Sequence, residues 1–286
     1  MDDSAHPGRS ELADREWRLV REEARPGPTN MALDEIAAET AAAGGPRTLR
    51  VYTWRPSTLS LGYRQDPDTV DWEWCEREGV TVTRRQTGGG GIYHDEYGDV
   101  SYSIVAPAAE LPGDLLDCYH LLLEPVLDAF DRLGIDAGFA AEEYPSIHEP
   151  ACYLRALHPA HDVVVDGRKV SGNAQYRRRD AVIQHGSLTY AVRAAAHLAA
   201  FADHDVSREA FESRVTAIDE HADVARSTAV AALEDALAEW ADAHEGSWTD
   251  DELAHAEERA EGKYESDEWN MRRADGRASN ASGGSP

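Results

Sequence analysis

The chain has 286 residues, enough for one large or two small domains with a sizeable core. Its 54 acidic residues against 28 basic ones give a net charge of -26, which argues against attraction to a nucleic-acid backbone or an anionic membrane surface. Three cysteines, Cys75, Cys118 and Cys152, offer neither a disulfide framework nor a metal-ligand spacing, and no window approaches the ~20 apolar residues of a bilayer span. All basic residues but Lys169 and Lys263 are arginine. Such a lysine-poor, acid-rich composition suits a salt-rich cytoplasm in which screening removes self-repulsion, so a halophilic source is expected. The start Met1-Asp2-Asp3-Ser4-Ala5-His6-Pro7 has no apolar stretch, and a cytoplasmic location is expected.

Residues 1–15 are polar and expected to be flexible. Asn30 is placed to cap a helix running from Met31 toward Ala43, which Gly44-Gly45-Pro46 ends. The segments Leu49–Trp54 and Thr58–Tyr63 are β-rich and flank a turn at Arg55-Pro56-Ser57, which predicts two strands. A helix over about Thr69–Glu78 stops at Gly79, and Val80–Arg84 reads as a strand that delivers a run of glycines. Val100–Val105 is the next strand. From Asp114 to Leu133 apolar residues at Leu115, Tyr119, Leu122, Val126 and Phe130 recur at helical spacing. Asp166-Gly167 between two short apolar runs is a strong hairpin signal, and Ala181 to Tyr190 extends the sheet. Ser227–Ala243 reads as a helix, and Thr249-x-x-Glu252 as a capping box opening another toward Gly262. Residues 272–286 are rich in Gly, Ser, Ala and Arg and are expected to be a disordered tail. Strands and helices are interspersed, so the expected class is α+β, with a mixed or antiparallel β-sheet flanked by helices.

Two segments carry chemistry. The first is Arg84-Arg85-Gln86-Thr87-Gly88-Gly89-Gly90-Gly91-Ile92-Tyr93-His94-Asp95. Four consecutive glycines bury no side chain and cost backbone entropy, so the loop exists for close approach to its main chain. Its N–H groups can face phosphate oxygens or a carbonyl, with Arg84 or Arg85 adding charge-assisted bonds. No Gly-Lys-Ser/Thr follows, which excludes a Walker-type loop. The second segment is Asp166-Gly167-Arg168-Lys169-Val170-Ser171-Gly172-Asn173-Ala174-Gln175. After the tight turn the Lys169 ammonium can point back over the sheet, where it would stabilise charge developing in acyl transfer. Retaining lysine in an arginine-dominated chain is informative, because the two are not equivalent at a point-charge site. Cys152 lies upstream in the loop-like Glu149-Pro150-Ala151-Cys152-Tyr153. It is either a nucleophile activated by a nearby ammonium or a small buried hydrophobe, as Cys118 is expected to be.

Together these segments resemble the lipoate-protein ligase A family, whose catalytic domain is shared with biotin protein ligases and some octanoyltransferases. The glycine loop from Arg84 to Asp95 and the turn from Gly167 to Ala174 match its two main motifs. Asn30-Met31-Ala32-Leu33-Asp34-Glu35, Leu61-Gly62-Tyr63-Arg64-Gln65, Gln184-His185-Gly186-Ser187 and Lys263-Tyr264 through Glu268-Trp269-Asn270 match in order. The resemblance implies one biotin/lipoate ligase-like catalytic domain over residues 16–271, between the flexible start and the tail. It implies that Lys169 contacts the acyl carbonyl and the activated phosphate. It also implies that Arg84, Arg85, Gly88, Gly89, Gly90, Gly91, Tyr93, His94, Asp95, Ser171, Gly172, Asn173, Ala174 and His185 bind the acyl adenylate. No resident metal is expected.

Two activities fit. A lipoate-protein ligase would activate lipoate with ATP, as its Mg2+ complex, and transfer it to a lysine of a lipoyl domain. An octanoyltransferase would carry octanoyl from acyl carrier protein, or from a lipoyl protein, through a Cys152 thioester. The related cysteine transferases often place arginine at the third glycine position, so Gly90 and the room it leaves for a nucleotide favour the ligase. Against the ligase, no accessory domain follows residue 271; such a domain is often needed for adenylation, and a separate accessory-domain protein could supply it. Acceptors would be lipoyl domains of 2-oxoacid dehydrogenase acyltransferase subunits or the glycine cleavage H protein. A non-enzymatic lipoyl-domain binding regulator is the third reading, against which the intact loop and Lys169 count.

Overall fold

Period-two alternation builds the central layer. In Asp99–Pro107, Val100, Tyr102, Ile104 and Ala106 face one side, while Ser101, Ser103 and Val105 face the other. The computed structural model describes Leu12 and residues 14–272. The expected flexible start and tail therefore lie largely outside the described residues. Leu12 itself is buried and accepts a hydrogen bond from the Trp17 indole, so the core reaches upstream of residue 16.

The main sheet has eight strands. They are β1 (Trp17–Arg25), β2 (Arg47–Trp54), β6 (Asp99–Pro107), β7 (Gly138–Phe139), β8 (Val163–Val165), β9 (Arg168–Arg177), β10 (Ala181–Thr189) and β11 (His244–Glu245). Their spatial order is β11-β1-β2-β6-β10-β9-β8-β7. β1 runs parallel to both of its neighbours and the other pairings are antiparallel, so the sheet is mixed, as the sequence allows. A second sheet, in order β4-β3-β5, comprises β3 (Thr58–Leu61), β4 (Thr81–Arg84) and β5 (Ile92–His94). The two strands expected around the Arg55-Pro56 turn thus belong to different sheets.

Helices cover both faces of the large sheet. On one face α3 (Leu115–Arg132) and α7 (Arg226–Ala241) close a core with Leu49, Val51, Tyr102 and Ile104. On the other, α1 (Gly27–Ala42) and α8 (Asp250–Arg259) pack on Tyr52, Trp54, Val105 and Ile183. Between β3 and β4 runs α2 (Trp72–Glu78), capped by the Asp71 side chain and closed by Gly79 at φ 67°. Short helices α4 (Ala194–Ala199), α5 (Arg208–Glu212) and α6 (Ile218–His221) follow β10, and α9 (Asp267–Asn270) ends the described chain. Among the described residues no helix is long and apolar enough to cross a membrane.

Asn30 does not cap α1, which begins three residues earlier, after Pro26. Pro28 suits the first turn, where an N–H is not needed. The Asn30 side chain instead donates to the Arg25 and Thr53 carbonyls and accepts from Arg50. Both halves of the Thr249 capping box form, and a π-helical turn over Ala260–Tyr264 carries α8 past Gly262.

Candidate active site

The glycine loop leaves β4 and enters β5, so the small sheet holds both of its ends. Arg85 ties it down. Its guanidinium donates to Thr87 Oγ1 at 3.0 Å, the Ser60 carbonyl at 2.8 Å, and the Gly88 and Gly90 carbonyls at 2.8 and 2.7 Å. Those carbonyls point inward to Arg85. Among the described residues, the amides of Gly88, Gly89 and Gly90 donate to no protein acceptor. Gly89 has φ 96°, a conformation that favours glycine. The last glycine pairs with the Cys152 segment: Gly91 N donates to the Pro150 carbonyl at 2.7 Å, and Cys152 N to the Gly91 carbonyl at 2.8 Å. Two distant sequence motifs thereby become one surface.

Lys169 sits at the other side of that surface. Asp166 and Gly167, at φ 51° and 74°, make the tight turn between β8 and β9, and a register shift beside Val163 and Val164 re-aims β9. The Lys169 ammonium is buried and pairs with Asp162 Oδ1 at 2.7 Å. Burial opposes the charge on Lys169, but the Asp162 carboxylate leads the surrounding groups that hold the ammonium above its ordinary range. Asp162 is the converse case: burial would raise its carboxyl, and the Lys169 charge holds it well below the usual carboxylate range. The Tyr153 ring lies 5.5 Å from Lys169 Nζ, and its hydroxyl shares a hydrogen bond with Ser187 at 3.0 Å. Cys152 is half-buried and lines the same cavity as Lys169 and Arg85.

A cavity of about 410 Å³ runs between the two sheets. Cys152, Lys169, Asp162, Arg85, Gly88, Gly89, Gly172, Asn173, Ala174 and His185 line it, and so do Met31, Tyr52, Trp54 and Ile92. One cavity thus joins an apolar pocket to a thiol, an ammonium and unpaired amides, the components acyl transfer uses. Residues 26–241 match the family model described as the lipoyl protein ligase A/B catalytic domain. The chain belongs to this family. It is 32% identical over 277 residues to the octanoyltransferase LipM of Anoxybacillus flavithermus, covering 90% of this chain and 98% of that relative. It is 31% identical over 285 residues to the octanoyltransferase LipM of Geobacillus kaustophilus, covering 92% and 100%. Among solved structures, a lipoate-protein ligase A bound with ATP matches at TM-score 0.75 and 25% identity over 90% of this chain and 98% of that one. A putative lipoate protein ligase from T. acidophilum with bound lipoic acid shares the fold at TM-score 0.72, 24% identity and coverage of 90% and 98%. As a member of this ligase and transferase family, the chain is an enzyme.

Not every residue expected to bind the acyl adenylate faces the cavity of this family member. Arg84 is fully buried and donates to the carbonyls of Gly62, Tyr63, Gln65, Trp269 and Asn270. Burial lowers its pKa to about 10, and it pins the loop to the C-terminal segment instead of meeting a ligand. Asp95 accepts from the Tyr97 and Gly98 amides and shapes the turn after β5, and Tyr93 packs on Trp74 and His197. Ser171 is buried outside the cavity lining, with its hydroxyl 3.5 Å from Asn173 Oδ1. His94 reaches the cavity but is committed to structure: it bonds Asp99 at 2.7 Å and Ser60 at 2.9 Å, and stacks on Trp54 at 4.0 Å. Burial lowers its pKa against the pull of Asp99. His185 bonds Thr87 Oγ1 at 2.8 Å and lies 3.5 Å from Asp34, so it braces the loop against α1.

Gly90 has a physical reason other than space for a nucleotide. A Cβ there would stand 2.6 Å from the Pro150 carbonyl oxygen and 2.9 Å from Cys152 N. Gly90 also lines, with Gly91 outside it, a second depression of about 340 Å³ that includes Arg64, Glu149 and Arg155. Asp162 and Tyr153 are the site residues that motif reading passed over. The hairpin carries the signal for Asp162, since it brings β8 back along β9 with Val164 paired to Lys169, and the carboxylate two residues before Val164 reaches the ammonium.

Proposed function

We propose that this enzyme is an octanoyltransferase that carries an octanoyl group, as a Cys152 thioester, onto a lysine of a lipoyl domain. The observation that carries the reading is the presence of Cys152 in the same cavity as the buried Lys169–Asp162 pair. Relatives named octanoyltransferase LipM, matched over nine-tenths of this chain, support it over the ATP-dependent ligase that Gly90 had favoured. In the first step Cys152 Sγ attacks the carbonyl carbon of an octanoyl thioester on acyl carrier protein. The donor C–S bond breaks, and the cysteine proton ends on the departing donor thiol. In the second, a neutral lysine amine attacks the Cys152 thioester, an amide forms, and the amine's proton returns to the cysteine sulfur.

The residues divide the work. Lys169 is held by Asp162 as an ion pair, and its ammonium has three N–H donors to offer the carbonyl oxygen as it gains charge. The unpaired amides of Gly88 to Gly90 supply neutral donors to the same end. Incubation with octanoyl acyl carrier protein and an apo lipoyl domain, read by mass spectrometry, tests the reading. An octanoyl shift on the domain is expected, with a matching adduct on the enzyme, and Cys152→Ala removes both. The second reading draws on the ATP-bound ligase that shares this fold at 25% identity. A lipoyl shift that requires ATP and Mg2+ and survives Cys152→Ala would establish that ligase chemistry in place of the transferase.

A further inference from the structure

We propose that His161 is the catalytic base of the second step and takes the proton from the acceptor lysine nitrogen as it attacks the Cys152 thioester. The inference rests on the transferase reading, because it needs an acyl-enzyme for the amine to attack. As the amine adds to the carbonyl carbon its nitrogen becomes cationic, and a proton must leave before the amide is formed. Lys169 cannot accept that proton, since it is held as an ammonium. Asp162 cannot either, because the Lys169 charge holds its carboxyl well below the usual range. The other carboxylate of the cavity lining, Glu149, is paired with Arg155 at 3.1 Å. Four histidines remain in the lining. Those of His94 and His185 are engaged: His94 bonds Asp99 and Ser60, and His185 bonds Thr87 and faces Asp34. His158 Nδ1 accepts from the Ala160 amide at 3.1 Å. The hydrogen of the neutral His158 ring is then on Nε2, which leaves no lone pair for a substrate proton.

His161 is the reverse case. Its Nδ1 is buried, makes no hydrogen bond to another described group, and lies 3.5 Å from Asp162 Oδ1. A ring hydrogen aimed at that carboxylate leaves the lone pair on Nε2. The side chain is 32% exposed although Nδ1 is not, so the open edge of the ring is the one that carries Nε2. Asp162 Oδ1 also pairs with Lys169 Nζ at 2.7 Å. One oxygen atom thus joins the imidazole to the ammonium that meets the acyl carbonyl. The turn that presents the ring is well braced. His158 N donates to Asp162 Oδ2 at 2.8 Å, and Asn173 Nδ2 donates to the His161 carbonyl at 2.9 Å. The ring stacks on His158 at 5.1 Å with 6° between the planes, and lies 5.2 Å from the Tyr119 ring on α3. A nucleophile, a base and a carboxylate that orients the base therefore share one cavity. In the step itself the nitrogen–carbon bond forms and Nε2 accepts the nitrogen's proton. The carbon–sulfur bond then breaks, and the imidazolium gives that proton to the Cys152 sulfur. Thiol and neutral imidazole are restored, and the Lys169–Asp162 pair keeps its charges throughout.

The test separates the second step from the first. Wild-type and His161→Gln acyl-enzymes are prepared with octanoyl pantetheine thioester, freed of donor, and mixed with apo lipoyl domain or with hydroxylamine. Loss of the Cys152 adduct is followed by intact mass. Hydroxylamine is a weakly basic amine, so its nitrogen sheds the proton to solvent without help. At saturating lipoyl domain the variant is expected to transfer about 100-fold more slowly than wild type. Hydroxylamine is expected to clear both adducts at rates within about threefold of each other. Should His161→Gln fail to fold, His161→Asn gives the same comparison. Equal slowing with both acceptors would show a structural role and overturn the base. So would an unchanged rate with the domain, or a change confined to the domain concentration that gives half the maximal rate. A folded variant that forms no adduct would overturn the assignment to the second step. Absence of any wild-type adduct would remove the transferase reading itself, and the base with it.

Discussion

Lys169 and Asp162 form a full ion pair in a nearly dry setting, with relative exposures of 3% and 1%. Desolvating two charges is costly, and the pair holds only because each neutralises the other. The arrangement has a chemical consequence. An isolated buried lysine would shed its proton near neutral pH, whereas Asp162 keeps this one charged. Wild-type turnover therefore has no alkaline limb from Lys169 within the ordinary assay range. With Asp162→Asn the amide cannot hold the ammonium, burial prevails, and the Lys169 proton leaves at lower pH. The expected result is a pH–rate profile whose alkaline limb moves acidward, together with a stability loss of about 3 kcal/mol. A variant whose profile matches wild type over pH 6–10, while losing only stability, would show Asp162 to be structural.

At the level of elements, the site is a junction between a loop and a hairpin that share no sequence neighbourhood. The contact that joins them is the short ladder between Gly91 and the Pro150–Cys152 segment, and Gly90 is what lets it close. Gly90→Ala is expected to displace Cys152 by a few tenths of an ångström or more and to cost about 100-fold in transfer rate. Thermal stability should fall as well, since the atoms that a Cβ would meet are backbone and cannot yield cheaply. A turnover near wild type would mean that the Cys152 segment moves freely. Much of this architecture was legible beforehand. Asp166-Gly167 announced the hairpin, Asp114 and Thr249 announced helix starts, and alternation in Val100–Val105 announced β6, because each signal is local. β1 was not legible: in Trp17–Arg25 the apolar run ends at Val20 and charged residues follow, and only its neighbours in the sheet make it a strand. Arg84 failed for a related reason. Sequence shows a guanidinium beside a glycine loop, but the five carbonyls that occupy it come from residues 62 to 65 and 269 to 270. Motif spacing also could not show that Tyr93 and Asp95 point away from the cavity while His94 points into it, although period-two alternation along β5 requires the split.

Across the whole molecule, charge is distributed unevenly between interior and surface. Several arginines are buried with named partners, among them Arg18 with Glu252, Arg50 with Asp34, and Arg84 with its carbonyls. Against the opposing burial, Arg18 together with hydrogen bonds from the Thr249 amide and Thr40 lowers the Glu252 pKa to about 2. These pairs are shielded from solvent ions and should respond little to salt. With a net charge of -26, the outer surface is left with unbalanced carboxylates that repel one another across the fold. Added salt shortens the reach of that repulsion from about 10 Å at 0.1 M to about 3 Å at 1 M. Folded protein should therefore gain stability as sodium chloride rises, by a few kcal/mol, or about 2–4 °C in Tm for each. The rise should appear with potassium chloride as well, because screening depends on ionic strength and not on a bound ion. A Tm that stays flat or falls between low salt and about 1 M would show that the surface carboxylates are already compensated by their arginine neighbours.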